Sequence, residues 1–420
     1  MERSFRKLGS GQVHEDSLMT SPQALAAAGA ETGISFLSEA RPLHVLTLTP
    51  FYPSEEDPAQ GCFVSEPLHE LKGENVVNDV IAVQPFYRGR ARAVQSEIAS
   101  RWQSYFSLPG NVGLPLSGEF LAASLMPQVR KLHRRQPFDL VHAHSALPCG
   151  ATALSLSKKL GIPFVVTVHG LDAYLTRQAG PRIGKWCAEI SKQVYESASA
   201  VICISEKVRQ HVADVADVRV AVVYNAVDPS LFYPDKEEQR PLVILSVGNL
   251  IPIKGHALLL RAFACIANAV SGCSLEIIGD GPERGELARL ANHLGIGDRV
   301  RFLGRQSRQE VAAAMQRCAL FALPSSYEGL GCVYLEAMAC GKPVIGCNGQ
   351  GIDEIIEDRG NGVLVSPGSE TELSDALAIL LSSQPLRQRM GNAGYETVLS
   401  RHTIAHQAAQ LAEIYRECVR

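Results

Sequence analysis

The chain has 420 residues, 46% hydrophobic and 20% charged, with Lys+Arg 40 against Asp+Glu 43. This length suits two or three domains with substantial cores, and the balanced charge argues against a polyelectrolyte that binds nucleic acid in bulk. No run of about 18 apolar residues is present to span a membrane. The eleven cysteines contain no C-x-x-C pair, so they read as reduced thiols rather than a disulfide framework or a zinc site.

Residues 1–40 are rich in Ser, Ala and Gly and lack a sustained period, so they read as a poorly ordered extension, with Met19 an alternative start. The apolar stretch Ala24 to Ala28 is too short for a signal peptide. From Pro42 onward, short apolar runs alternate with longer amphipathic stretches. Strands are predicted at His44 to Thr49, Val76 to Val83, Asp139 to Ala143, Pro163 to Val168, Ala200 to Ile204 and Arg219 to Val223. Helices are predicted at Phe120 to His133 and Ala151 to Leu160.

The second half repeats the alternation. Its strands are predicted at Leu242 to Val247, Ser274 to Ile278, Val300 to Leu303, Leu320 to Leu323, Pro343 to Ile345 and Gly362 to Val365. Its helices are predicted at His256 to Ala269, Gly285 to Leu294, Gln309 to Arg317 and Gly331 to Ala339. The pattern implies an α/β fold of parallel sheets covered on both faces. A proline-bracketed charged stretch marks a linker at 234–241. The expected domains are therefore 41–233 and 242–400, followed by a helix over 401–420 that packs back on the first domain. Two doubly wound domains place ligands outside the carboxyl ends of their strands, in a cleft between them.

The motifs with chemical content fall at those strand ends. After Leu323-Pro324 comes Ser325-Ser326-Tyr327-Glu328-Gly329-Leu330-Gly331, and a helix opens near Gly331. Its unpaired N–H groups and positive dipole end suit a phosphate. Glu336 lies about 7.5 Å along that helix, so Glu328 and Glu336 flank the anion site. A carboxylate accepts two hydrogen bonds from vicinal hydroxyls, as sugars offer. The alternative is that Glu328 caps the helix and Glu336 sits on a solvated face. Gly248-Asn249-Leu250-Ile251-Pro252-Ile253-Lys254-Gly255 follows the first strand of the second domain. There Gly248 permits a close turn, and Lys254 brings an ammonium to a phosphate or is simply solvated.

In the first domain, Gly61 is a phosphate-approach or turn glycine. His169-Gly170-Leu171-Asp172 puts an imidazole at a strand's carboxyl end. His142-Ala143-His144 places two imidazoles on one strand face, but no carboxylate or Cys stands at ligand spacing, which favours a lining or structural role over a metal. Gly279-Asp280-Gly281-Pro282-Glu283-Arg284-Gly285 is not G-x-G-x-x-G, which argues against a dinucleotide-dependent oxidoreductase.

Glu328 to Glu336 resembles the Glu-x7-Glu motif of the retaining glycosyltransferases of family four, which have the GT-B fold of two Rossmann-like domains; the likeness runs from Leu43 to about Leu399. The resemblance implies that Glu328 and His169 contact the donor sugar, and Glu336 the nucleotide ribose. Lys254, Gly248, Gly61 and the turn Gly329, Leu330 and Gly331 would meet the diphosphate. Gly281 would lie near the donor, and the main chain at Leu303 would meet the base. Asn249 stands where many relatives carry Arg, so it offers a neutral amide and Lys254 is the principal cation. Asp172 either borders the acceptor or caps a helix.

The resemblance further implies a UDP- or GDP-sugar as co-substrate, no metal or other cofactor, and a glycan or lipid-linked acceptor. The expected chemistry is front-side attack, with Glu328 orienting rather than forming a covalent bond. Arg88, Arg90, Arg92 and Arg101-Trp102, in an insertion of the first domain, and the run Arg130 to Arg135 at a helix end are either solvated faces or an electrostatic patch for anionic membrane or a lipid-diphosphate acceptor. The expected location is the cytoplasm, at the inner face of the cytoplasmic membrane. A non-catalytic GT-B scaffold that binds nucleotide or a partner is the competing reading.

Overall fold

The apolar runs pair as two all-parallel sheets in the computed structural model, which describes residues 41–89, 91–92, 97–170, 179–235 and 242–420. The extension at 1–40, Arg90, Asp172 and most of the linker lie outside the described residues. The first sheet holds β1 (Leu43–Thr49), β2 (Val76–Pro85), β3 (Ala99–Tyr105), β4 (Leu140–His144), β5 (Phe164–Val168), β6 (Ala200–Cys203) and β7 (Val220–Val222), in the order β3-β2-β1-β4-β5-β6-β7. The second holds β8 (Val243–Val247), β9 (Ser274–Ile278), β10 (Val300–Gly304), β11 (Leu320–Ala322), β12 (Val344–Cys347) and β13 (Val363–Val365), in the order β10-β9-β8-β11-β12-β13. Central strands β4, β5 and β8 are buried at every residue, as expected for strands covered on both faces.

Both sheets reverse their winding beside their first strand: β1 lies between β2 and β4, and β8 between β9 and β11. The crevices outside these switch points are where doubly wound sheets bind ligands. The first-sheet helices are α1 (Cys62–Glu70), α2 (Leu114–Arg135), α3 (Ala151–Leu160), α4 (Pro181–Ser197) and α5 (Glu206–Ala213). The second-sheet helices are α6 (His256–Ala267), α7 (Arg284–His293), α8 (Arg308–Arg317), α9 (Cys332–Ala339), α10 (Glu370–Ser382) and α11 (Gln384–Arg401), and the chain ends in α12 (Ile404–Val419). Among the described residues no helix is long and apolar enough to cross a membrane. All eleven cysteines are thiols.

Two elements depart from the sequence reading. Arg101 and Trp102, read as part of an insertion, lie in β3, an edge strand of sequence ASRWQSY in which only Tyr105 is buried. Half-exposed edges need no apolar run, so the strand carried no hydrophobic signal. Helix α2 begins at Leu114 rather than Phe120, with Pro115 in its first turn, where a missing N–H is harmless.

The final helix joins the first sheet. Val227 N–H donates to the His402 carbonyl, and Ile404 N–H to the Val227 carbonyl, both at 3.0 Å. Beyond that junction Ala408, Leu411, Ala412 and Tyr415 share a core with Val45, Val64, Leu68, Val80 and Val165. Tyr415 is fully buried, so Tyr415→Ala is expected to cost about 3–5 kcal/mol. A lowered urea midpoint, read by fluorescence and circular dichroism, checks this; an unchanged midpoint would contradict the docking of α12.

Candidate functional site

On the second-domain side, the β8–α6 loop lies directly on the β11–α9 loop. Gly255, at φ +72°, opens α6, and a Cβ there would stand 2.2 Å from the Pro324 carbonyl oxygen. Only glycine permits that approach. It brings Lys254 Nζ to 2.5 Å from Glu328 Oε2, with the two side chains 18% and 12% exposed. The Glu328 N–H donates to Gln350 Oε1 at 3.1 Å. A charge-assisted bond of this kind holds both groups in fixed geometry.

Glu328 does not cap the helix. Gly331, at φ +87°, is the N-cap of α9, with no side-chain capping bond. Gly329 and Leu330 complete the turn; the Leu330 side chain is buried in the core, so its backbone is what the turn presents. Glu336 is not solvated either: its side chain is 3% exposed. Asn249 is exposed, five residues before Lys254 in the same loop.

The close turn expected at Gly248 lies elsewhere. A Cβ on Gly248 would meet nothing nearer than 3.7 Å, whereas one on Gly279 would lie 2.0 Å from the Gly248 carbonyl and one on Gly281 2.4 Å from the Leu250 carbonyl. The neighbouring β9–α7 loop therefore carries the constraint and packs against the Gly248–Leu250 backbone. Leu303 falls at a register shift between Phe302 and Gly304. The shift takes its main chain out of the ladder, and its carbonyl accepts from Gln306 Nε2 at 2.8 Å.

On the first-domain side, Gly61 (φ +68°) opens α1 against the Phe51 backbone, and a Cβ would lie 2.3 Å from the Phe51 carbonyl carbon. His169 follows β5. Its ring packs against Phe63 and Phe51, with centroids 4.9 and 5.5 Å away, and its Nε2 lies 2.9 Å from His144 Nδ1. His142 is bonded at both nitrogens, 2.7 Å from the Tyr415 hydroxyl and 2.7 Å from Thr167 Oγ1. Burial lowers the pKa of His142 and of His169 to about 3. Burial also holds His144 well below the ordinary imidazole value, with His142 and His169 adding to the shift. All three are neutral at pH 7, and His142 is held inside the core by Tyr415 and Thr167 while His144 ends β4 beside His169. Among the described residues no cluster of three or more His, Cys, Asp or Glu is arranged to hold a metal.

The two sides touch at backbone distance. A Cβ on Gly329 would lie 2.6 Å from the His169 carbonyl oxygen, and one on Gly170 3.1 Å from Gly329 Cα. Ser205 Oγ donates to the Gly329 carbonyl at 2.6 Å while accepting from Val208 N–H as the cap of α5. The Glu354 carboxylate accepts the Glu206 and Lys207 N–H groups, both at 2.7 Å, at the positive end of the α5 dipole. Glu328, Lys254, Gly329, Gly331 and His169 thus share one locality.

Glu336 is held separately. Arg308 Nη1 donates to Glu336 Oε1, while Arg308 Nη2 and Nε donate to Glu66 Oε1 of α1 at 2.8 and 3.0 Å. Burial works against the charge on Arg308, but Glu336, Cys62 and Glu66 outweigh it and hold the guanidinium above its ordinary value. Burial pushes the Glu66 carboxyl up to about 7 against the pull of Arg308. Sequence reasoning missed Arg308, Glu66, Glu354 and the Ser205–Gly329 contact. Only Ser205 carried a local signal, as a Ser before a helix.

Known proteins match over most of this chain. The model described as Glycosyltransferase Family 4 matches residues 71–231, and that described as Glycosyl transferases group 1 matches residues 232–397. An alpha-D-kanosaminyltransferase of Streptomyces kanamyceticus is 30% identical over 345 residues, covering 76% of this chain and 86% of its own. Among solved structures, a sucrose-phosphate synthase from Thermosynechococcus elongatus superposes with a TM-score of 0.74 at 21% identity, over 89% of this chain and 98% of that one. HepE of Anabaena, in complex with UDP, superposes with a TM-score of 0.70 at 20% identity, over 89% of this chain and 100% of that one.

The buried histidines make a pH prediction. An imidazole with a depressed folded value binds its proton more readily when unfolded, so stability is full above the unfolded value of about 6.5 and falls as pH drops from there toward 3. Each such group contributes a slope of up to about 1.4 kcal/mol per pH unit in that window. Urea titrations at pH 7, 6 and 5 are expected to show the decline, and His142→Gln to make it shallower; equal slopes in both proteins would contradict the assignment.

Proposed function

Because the chain belongs to the group 1 glycosyltransferases of family 4, with the GT-B fold, we propose that it moves a hexose from a UDP- or GDP-sugar to a glycan or lipid-linked acceptor, with retention at the anomeric carbon. The observation that carries this reading is the Lys254–Glu328 pair, 2.5 Å apart, at the second sheet's switch point and beside His169. The HepE complex with UDP supports a nucleoside diphosphate as the ligand of this fold, and the kanosaminyltransferase supports transfer of a sugar.

The roles follow from charge. The bond from the anomeric carbon to the diphosphate breaks, and negative charge grows on the leaving oxygen while the sugar becomes oxocarbenium-like. Lys254 and the amides at the start of α9 meet the diphosphate, in a site where fixed charges act more strongly than in water. Glu328, exchanging part of its bond to Lys254 for sugar hydroxyls, orients the donor with neutral His169 on the other wall. The acceptor oxygen attacks from the face the diphosphate leaves, and its proton passes to a diphosphate oxygen. Neither a metal nor a redox cofactor has a part in this scheme. Glu336 accepts from the ribose hydroxyls, and the main chain at Leu303 meets the base.

A lipid-linked acceptor is supported by an exposed apolar patch. Phe86, Phe106, Leu108, Val112, Leu116 and Phe120 all face solvent. Phe86 and Phe106 stack at 5.6 Å, and Phe120 meets Phe106 edge-on at 5.1 Å. The patch follows the carboxyl ends of β2 and β3, the edge that also carries His144 and His169, and exposed Arg88 adjoins Phe86. Contiguous exposed apolar surface marks an interaction site, and the cation suits an anionic lipid surface.

Lys254→Ala and Glu328→Gln are each expected to lower kcat/KM by roughly 10²–10³-fold. The check is release of nucleotide from UDP- and GDP-sugars, with the product anomer read by NMR. Equal release by wild type and Glu328→Gln would remove the site assignment, and an inverted product would remove retention. Sedimentation with anionic vesicles is expected to fall on replacing Phe86 and Phe106 with Ser; binding indifferent to that change would remove the membrane contact.

A further inference from the structure

Arg308, the first residue of α8, belongs to no motif, yet every donor edge of its guanidinium is used. Nε and Nη2 form a fork on Glu66, at 3.0 Å and 2.8 Å to Oε1, with Nη2 also 3.1 Å from Oε2, while Nη1 donates to Glu336 Oε1. The guanidinium stacks over the Phe232 ring at 4.7 Å. Glu66 comes from α1 under the first sheet; Arg308 and Glu336 come from α8 and α9 under the second. The three side chains form one hydrogen-bonded relay across the domain boundary. Fork geometry of this kind fixes orientation as well as distance, which a lysine cannot do.

The relay leaves one atom over. Glu336 Oε2 is buried and has no hydrogen-bond partner among the described residues, although buried polar atoms are almost always paired. Its sister oxygen is committed to Arg308, so the carboxylate cannot turn without breaking that bond. An acceptor held in this way is preorganised for hydroxyl donors.

We propose that Arg308 is a positioning residue for the donor. By holding Glu336 Oε1 it presents Oε2 to the vicinal hydroxyls of the nucleotide ribose, and by its fork to Glu66 it makes that presentation depend on the first domain being closed on the second. This rests on the reading of Glu336 as the ribose contact. The device recruits the acceptor domain to donor binding through a residue that does not touch the donor.

The test is the preference for ribose over 2′,3′-dideoxyribose, measured by calorimetry with UDP and GDP and their dideoxy forms on the full chain. Hydrogen bonds to a charged acceptor predict a preference of roughly 10- to 100-fold in the wild type. Arg308→Gln is expected to cut it to within about threefold, and Arg308→Lys to leave it reduced. Glu66→Gln is expected to reduce it in part, though Glu66 lies in the other domain. The loss appears in donor KM with kcat little changed, as for uniform binding. Thermal melting identifies any variant that fails to fold, and the remaining variants then decide. A full preference in folded Arg308 and Glu66 variants, alongside its loss in Glu336→Gln, overturns the proposal and leaves the ribose reading standing. A full preference in Glu336→Gln overturns the ribose reading and the proposal with it.

Discussion

The backbones of two sheet edges meet between His169-Gly170 and Gly329, and the site exists because of that contact. With a Cβ on Gly329 placed 2.6 Å from the His169 carbonyl, any side chain there would wedge the edges apart. The consequences spread outward from this point. Ser205 reaches the Gly329 carbonyl, Glu354 caps α5, and a single core cluster runs from Leu46 and Val166 through Ile204 and Leu330 to Leu335. Side chains from strands distant in the chain are thereby fixed in one cleft.

Charge in this protein is local rather than global. A near-balance of 40 basic and 43 acidic residues conceals partly buried clusters, among them Lys254 with Glu328 and Glu66 with Arg308 and Glu336. Buried ions are retained at a desolvation cost that is recovered only when hydrogen bonding is nearly complete. The first cluster pairs its two charges directly, whereas the second has a carboxylate oxygen with no partner among the described residues. The two carboxylates of one motif therefore sit in different electrostatic settings.

The sheets were largely legible in the sequence, since strands buried on both faces must be apolar, and twelve of the strands fall on apolar runs; β3 does not, because an edge exposed to water tolerates Arg101 and Gln103. The Glu-x7-Glu spacing and the glycines at strand ends were likewise readable, because turns and helix starts impose local backbone demands. Gly248 shows the limit of such readings: a glycine in a loop indicates freedom, but Gly279 and Gly281 pack against the backbone around it, and only their neighbours reveal that.

By itself the sequence determined the alternation of strand and helix, the two-domain division and the family motif, all of which depend on local periodicity and short spacings. The sequence also led us to expect a final helix packing back on the first domain, but tertiary structure alone decided which residues it meets there and that Arg308 ties Glu336 to Glu66. Partners 28 and 242 positions away along the chain leave no periodic trace. Such contacts are selected by where helices pack, and packing is a property of the assembled sheets.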